Sequence, residues 1–362
     1  MSTFNLSLNH HLELPDDVFR LLRDQIYKRS GMWFADSSKY LLQKRLSPRA
    51  KELNFDSFQK YFYFLQYDPR SEAEFDMIYD LVTTNETYFF REPQQLSAFI
   101  EEIIPDVLSR KTVKKVRIWS AGCSSGEEPY SIAILLSEAG FYDKATFEIF
   151  ASDINQQVLA KARKGVYREN AFRSTDAAVR DRYFVRDETS WRVKDEIRNR
   201  VQFGRLNLYD EARVSLLGHL DIVFCRNVII YFDDASKRIV VTNFYNRLVE
   251  NGYLLLGHSD SLISLSTQFK LRHLKSDMLA PAMTHHPGGK EPDRGMSLCR
   301  RTTQNRKNSP DLPDVGEFFT CLLGEEGRRP AVTIGVARQS MPFERDAMTR
   351  IRRDSHAEVN AE

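Results

Sequence analysis

The stretch from Lys115 to Tyr130 constrains the fold of this chain more than any other. Val116, Ile118 and Trp119 read as a buried strand. Gly122 and Gly126 bracket a turn of small residues, and Pro129 suits the first turn of a helix. That helix is expected from Tyr130 to Ala139, with Ile132, Leu135, Leu136 and Ala139 on one face and Gly140 as its stop. A strand, a glycine turn and a helix N-terminus make a ligand cradle of the α/β kind.

The acids in the turn narrow the ligand. A phosphate-binding turn offers bare N–H groups and the positive end of a helix dipole. Glu127 and Glu128 would repel a pyrophosphate and suit a ligand that brings cations or hydroxyls. The glycine spacing is not that of a dinucleotide fingerprint, and no Lys-Ser/Thr follows for a P-loop. The plain alternative is that both acids only complement the helix dipole.

The chain's 362 residues leave room for about two domains. A formal charge of +2 provides no general drive towards nucleic acid. The longest apolar run is broken by Arg226 and Asn227, so membrane insertion is not expected, and the N-terminus lacks a secretory pattern. Cys123, Cys225, Cys299 and Cys321 show neither metal nor disulfide spacing, so no metal site is expected. These features point to a soluble protein of a reducing cytoplasm, read here as a monomer.

The first 82 residues read as a small all-α unit. A helix is expected from Pro15 to Ser30, stopped by Gly31. A second starts near Asp36 and is expected to break or kink at Pro48, restarting through Arg49 and Lys51. Phe55, Phe58, Phe62 and Leu65 form a stripe that reads as core, and Ser71 with Glu74 reads as a capping box. The basic cluster from Lys39 to Lys51, including Lys44, Arg45 and Arg49, is either a solvated face or a docking surface for an acidic protein helix. Between Thr83 and Pro93 hydroxyls, an amide and an arginine alternate with aromatics, as in a loop that buries its rings and offers polar groups to a ligand. Pro93 opens a helix through Val107.

After the central turn, Phe147 to Asp153 reads as a strand ending in an acid, where α/β nucleotide folds hold ribose hydroxyls. The α/β rhythm then breaks at an expected hairpin, Tyr183–Val185 and Trp191–Val193, and resumes at Val201. Leu220–Cys225 is a buried strand, Asp234–Glu250 a helix capped by Gly252, Tyr253–Leu256 a strand, and Phe269–Leu279 a last strand or hairpin. The alternation from 115 to 280 predicts a mostly parallel sheet with helices on both faces. From Pro287 proline, glycine, serine and arginine dominate, and a largely disordered tail is expected, with only Phe318–Leu323 and Ala331–Val336 suited to order.

Three motifs together resemble the chemotaxis receptor methyltransferase family, CheR: Thr84 to Arg91, Trp119 to Ser131 and Phe224 to Phe232. Ala151–Ile154 and Gly257–Ser259 also fit, and the likeness runs in order from about residue 15 to 282. The resemblance implies an all-α domain (1–84), then a class I S-adenosylmethionine (SAM) methyltransferase domain (85–284), a Rossmann-like α/β fold. An antiparallel β-subdomain is inserted near 167–204, leaving 285–362 as a tail. It implies transfer of the SAM methyl group to glutamate side chains on the cytoplasmic helices of chemoreceptors, giving glutamate methyl esters and S-adenosylhomocysteine.

Carried over residue by residue, the SAM contacts are Asn85, Thr87, Arg91, Glu128, Asp153, Asn207, Leu208, Arg226 and Asn227. Arg91 and Tyr231 are the candidates to orient the incoming carboxylate, and the Lys44, Arg45, Arg49 region would dock the receptor. For Asp153 the alternative is a helix N-cap, for Arg226 a surface ion pair, and for Tyr231 a core role. Glu127 is left to the helix dipole and His258 to a structural role. Some family members dock through a glycine-rich loop of the β-subdomain onto a peptide at the receptor C-terminus. The corresponding turn here, Asp187 to Ser190, is short and has no glycine, so no dependence on that tether is expected. Two other readings stand beside this one: a SAM-dependent enzyme acting on another protein or a small molecule, and a SAM-sensing protein without turnover. The place of an Asn/Asp-Pro-Pro-Tyr motif holds Arg226 to Ile229 instead, which argues against amide or base N-methylation.

Overall fold

In the computed structural model, which describes residues 12–257, 260, 269–272, 274 and 335–338, the stretch from Lys115 becomes the centre of a seven-stranded sheet. Its strands are β1 (Lys115–Ala121), β2 (Thr146–Asp153), β6 (Val201–Arg205), β7 (Leu220–Cys225), β8 (Leu248–Leu256), β9 (Phe269–Arg272) and β10 (Gly335–Arg338). A separate small antiparallel sheet holds β3 (Val166–Tyr167), β4 (Phe184–Asp187) and β5 (Ser190–Val193). The large sheet runs β6-β2-β1-β7-β8-β10-β9, parallel from β6 to β8 and antiparallel beyond.

Successive strand residues point to opposite faces, and both faces are covered, so the central strands are apolar nearly throughout. Ile118, Ile222 and Leu255 enter one apolar cluster, with Phe89, Ile132, Leu135 and the small sheet. Trp119, Val223 and Leu254 enter the other, which they share with the N-terminal helices α1 (Asp16–Ser30), α2 (Lys39–Glu52), α3 (Phe58–Tyr67) and α4 (Ser71–Val82). The helical unit is therefore one cover of the sheet. The remaining helices are α5 (Pro93–Ala98), α6 (Ile104–Ser109), α7 (Glu127–Glu138), α8 (Gln156–Lys164), α9 (Ala177–Tyr183), α10 (Asp195–Arg198), α11 (Glu211–Ser215) and α12 (Asp234–Arg247). Among the described residues no helix is long and apolar enough to cross a membrane.

Polar bonds fix the helical unit to the sheet at the edge where the cavity opens. Asp80 accepts from the Gln156 amide at 2.6 Å, and the Asn155 amide group donates to the Asp80 carbonyl and to Thr83 Oγ1 (2.8 Å). Arg205 pairs with Asp76 at 2.6 Å. Asn207 donates to the Arg29 carbonyl at 2.7 Å, where Gly31 lies so close to Tyr209 that a Cβ would sit 2.6 Å from its ring.

Several local expectations are corrected. α2 runs through Pro48 without a break, because the bond lost at one solvent-facing position is outweighed by the burial of Leu42, Leu46 and Ala50 around it. The Ser71–Glu74 capping box does not form: Glu74 turns inward, accepting from Tyr61 Oη at 2.6 Å and from Arg49 through Nε and Nη2 (2.7 Å at the closest). The helix from Pro93 passes through a π-helical segment, Phe99–Ile103, just before Pro105, whose missing N–H interrupts the regular ladder. The hairpin of β4 and β5 gains a third strand, β3, and joins through the two residues Glu188 and Thr189. α12 ends at Arg247 rather than Glu250, and β8 begins at once. In the tail, Gly335–Arg338 forms β10 between β8 and β9, overlapping the end of the Ala331–Val336 stretch suited to order. Phe318–Leu323 and His258 lie outside the described residues.

The basic cluster is also redistributed. Arg49 is bound to the buried Glu74, and Arg45 donates to the Val82 and Thr83 carbonyls and to Thr84 Oγ1 at 3.1 Å. Both are structural ties, because a guanidinium beside unpaired buried acceptors is drawn inward. Lys44 stays exposed. Arg49→Ala should therefore lower unfolding free energy by about 3 kcal/mol in urea titrations, by leaving Glu74 unpaired. Lys44→Ala should leave it unchanged. Equal effects would contradict this division.

Candidate active site

A cavity of about 390 Å³ opens at the carboxyl ends of the parallel strands. It lies where the chain order reverses between β1 and β7, the usual place for a ligand in such sheets. Asn85, Thr87, Arg91, Glu128, Asp153, Asn207, Leu208, Arg226, Asn227 and Tyr231 all line it, although they come from distant parts of the chain. Met32, Trp33 and Phe34 of the helical unit supply a further wall, tied to the short helical turn after β7 by a bond from the Trp33 amide to the Tyr231 carbonyl at 2.9 Å.

The floor is the glycine turn. Gly122 has φ +79°, and a Cβ there would lie 2.5 Å from Val228, so only glycine fits. The Gly122 and Cys123 amides both donate to the Ser152 carbonyl, at 2.7 and 2.9 Å, which ties the turn to the end of β2. Asp153 follows there. Its Oδ2 accepts from the Ser124 amide at 2.8 Å and its Oδ1 from the Asn155 amide at 2.9 Å. It is not the N-cap of α8; Asn155 is, accepting from the Val158 amide at 3.0 Å. Burial raises the Asp153 carboxyl, and the backbone donors work against that rise.

Glu128 and Glu127 part company. Glu128 accepts from Ser120 Oγ at 2.7 Å and faces Arg226 Nη1 at 3.4 Å. Burial raises its carboxyl and Arg226 opposes the rise. Glu127 is buried beside Ser125 Oγ (2.8 Å) and does not line the cavity, so it is more than a solvated partner of the helix dipole. Arg226 is no surface ion pair either: its side chain is 3% exposed and lies between Glu92 (3.2 Å) and Glu128 (3.4 Å). Asn227 adopts φ +60°, its amide donates to Asp260 Oδ2 at 2.7 Å, and its buried side-chain oxygen has no hydrogen-bond partner among the described residues.

The loop from Thr83 to Arg91 closes the opposite side. Phe89 anchors it: its amide donates to the Ala171 carbonyl at 2.9 Å and its ring stacks on Phe172 at 5.1 Å. The Phe90 amide donates to Ser131 Oγ at 2.9 Å, and Asn85 presents its carbonyl to Ser124 Oγ at 3.3 Å. Arg91 donates to the Glu86 carbonyl at 3.3 Å and, among the described residues, carries no ion pair. Tyr231 Oη donates to the Thr84 carbonyl at 3.3 Å; burial raises this phenol, and Arg91 is near enough to oppose the rise. Asn207 uses both ends of its side chain internally, on Arg29 and Tyr209, so it offers the cavity its backbone and Leu208 an apolar wall.

Two buried acids, Glu92 and Asp260, hold the Arg226–Asn227 pair and were not singled out from the sequence. Glu92 is masked by its place before Pro93, where a turn residue is ordinary; Asp260 carries no signal until Gly257 brings it against Asn227.

Residues 17–83 match the family described as "CheR methyltransferase, all-alpha domain", and residues 85–278 match "CheR methyltransferase, SAM binding domain". The chain is 37% identical over 268 residues to "Chemotaxis protein methyltransferase 2" of Vibrio cholerae, covering 74% of this chain and 93% of that one. It is 36% identical over 271 residues to "Chemotaxis protein methyltransferase" of Salmonella typhimurium, covering 74% and 91%. The Escherichia coli protein of the same name is 34% identical, over 74% and 92%. The chain belongs to the CheR methyltransferase family.

It is therefore a SAM-dependent methyltransferase, and the two family domains meet at the cavity. The residues present fit that methyl donor. The volume is in the range of small-molecule sites. The donor set is acidic, and the Asn227 side-chain oxygen, without a partner among the described residues, suits a ligand that brings N–H or O–H groups.

Burial pushes the Glu127 carboxyl up to about 7 from 4.5, against the Ser125 hydroxyl that favours the charged form. The folded state thus holds a proton that the unfolded chain releases. The stabilising contribution is present below the unfolded value and is lost as pH rises through about 7. Glu127→Gln should match the parent near pH 4.5 and exceed it by up to about 3 kcal/mol near pH 8 in urea titrations. A difference that does not change with pH would contradict the assignment.

Proposed function

We propose that this chain transfers the SAM methyl group to glutamate side chains on the cytoplasmic helices of chemoreceptors. The products are glutamate 5-O-methyl esters and S-adenosylhomocysteine. The observation that carries the reading is Arg91: a cation at the cavity mouth, with no carboxylate partner among the described residues, beside the phenol of Tyr231. An incoming carboxylate would meet that pair. The curated relatives are named as chemotaxis protein methyltransferases, which supports a receptor acceptor.

Asp153 would accept from ribose hydroxyls and Glu128 with Asn227 from the ligand's ammonium, while Leu208 and the Asn207 backbone flank the base. Asn85 and Thr87 would cover the ligand from the loop side. Bound there, SAM supplies a methyl group activated by its own sulfonium. The protein needs no general base, because a glutamate carboxylate is ionised near pH 7. Its part is to orient the acceptor through Arg91 and Tyr231 and to keep water out. With Arg45 and Arg49 committed internally, receptor docking would use the exposed side of α2 at Tyr40 and Lys44. Leu41 on the same helix already lines the cavity.

Incubation with methyl-labelled SAM and receptor cytoplasmic fragments should give label that base releases, as an ester does. Asp153→Ala should abolish SAM binding. Base-stable label, or undiminished affinity in that variant, would contradict the reading. We place the receptor's C-terminal peptide outside this mechanism, since the β4–β5 turn is two residues long and lacks glycine. The β-subdomain is expected to show no measurable binding to such a peptide by calorimetry; tight binding there would overturn this.

A further inference from the structure

Arg226 lines the cavity, and much of its guanidinium is engaged by Glu92. Nε lies 3.3 Å and Nη2 3.2 Å from Glu92 Oε2, and Nη2 also donates to the Arg91 carbonyl. Only Nη1 is directed to Glu128, at 3.4 Å. Glu92 is itself buried and does not line the cavity. It is therefore a carboxylate placed behind the site, on the far side of the arginine from the ligand. Its backbone has φ +54° and ψ +65°, an uncommon conformation for a non-glycine residue, and Pro93 after it favours an extended one. Phe90, two residues earlier, is also left-handed at φ +56°. Such strain persists only where the surroundings hold it, and here it delivers a carboxylate to Arg226.

We propose that Glu92 is a positioning residue for SAM binding: it anchors Arg226 from behind so that Glu128 keeps an oxygen for the ligand's cation. The physical argument is a competition. A buried guanidinium with two acidic partners divides its attraction between them. Without the Glu92 charge, Arg226 would close on Glu128, and Glu128 could then receive the ligand's ammonium only by releasing the arginine. The proposal rests on the reading of Glu128 as a ligand contact.

The test is a double-mutant cycle on the full chain, with SAM affinity measured by calorimetry and folding checked by thermal melting. Glu92→Gln keeps the shape and removes the charge, and should weaken SAM about tenfold, the scale of one charge-assisted bond. Glu128→Gln should weaken it at least as much. The double variant should bind no more weakly than Glu128→Gln alone, since Glu92 acts only through Glu128. A merely structural Glu92 would give additive losses, and that result overturns the proposal. So does parental affinity in Glu92→Gln when Glu128→Gln has lost it. Parental affinity in Glu128→Gln would sink the reading of Glu128 and the proposal with it. If Glu92→Gln does not fold, Glu92→Asp enters the same cycle. It keeps the charge on a shorter arm, so a smaller loss with the same non-additivity is expected, and additive loss overturns the idea.

Discussion

A carboxylate taken out of water must be met by donors or give up its charge, and the cavity depends on how that demand is met. Asp153 is held by two backbone amides, Glu128 by a serine hydroxyl and Arg226, and Asp260 by the amides of Asn227 and Gly257. Burial pushes the Asp260 carboxyl up to about 6, so even with two donors it sits at the edge of ionisation. These bonds also fix the backbone. The Ser124 amide bound to Asp153 shapes the glycine turn, and the Asn227 amide bound to Asp260 holds a left-handed residue at the end of β7. The acids that suit a cationic ligand thus also build the walls of its site.

The cavity is assembled from three parts that fold around one sheet. The parallel strands supply the floor, the helical unit supplies the wall at Met32 to Phe34, and the Thr83–Arg91 loop spans the gap between them. That loop is fixed by aromatic burial. Phe89 packs on Phe172 and edge-on to Tyr167 and Phe184, all from the inserted β-subdomain or its approaches. A disturbance in the small sheet would therefore be felt at Arg91, two residues from the anchor. The β-subdomain has a structural part in the site whether or not it meets any partner.

Charge on the helical unit is arranged differently from its appearance in the sequence. Arg49, Glu74 and Tyr61 form a largely buried network between α2, α3 and α4, and Arg45 clamps the start of the Thr83–Arg91 loop. Exposed residues that line the cavity are mixed in character, among them Trp33, Ile230, Tyr231 and the acid Glu86, while Tyr40 and Lys44 face solvent on α2.

The sequence by itself determined the class of fold and the kind of ligand. Apolar runs bounded by glycine identified β1 and β7, the acids after Gly126 excluded a phosphate, and intact motifs around Asn85, Asp153 and Arg226 carried the family. These features are local, because strand burial and turn conformation are written in neighbouring residues. The tertiary structure decided everything that depends on who stands opposite whom. It sent Glu74 to Arg49 instead of to its own helix end, carried α2 through Pro48, and set Glu92 and Asp260 behind residues more than thirty positions away. It also separated Glu127 from Glu128, adjacent residues of one helix turn, because one side chain meets Ser125 in the core and the other meets the cavity. A single chain carries no record of such pairings, since the energy of a buried charge is set by its surroundings and not by its neighbours in sequence.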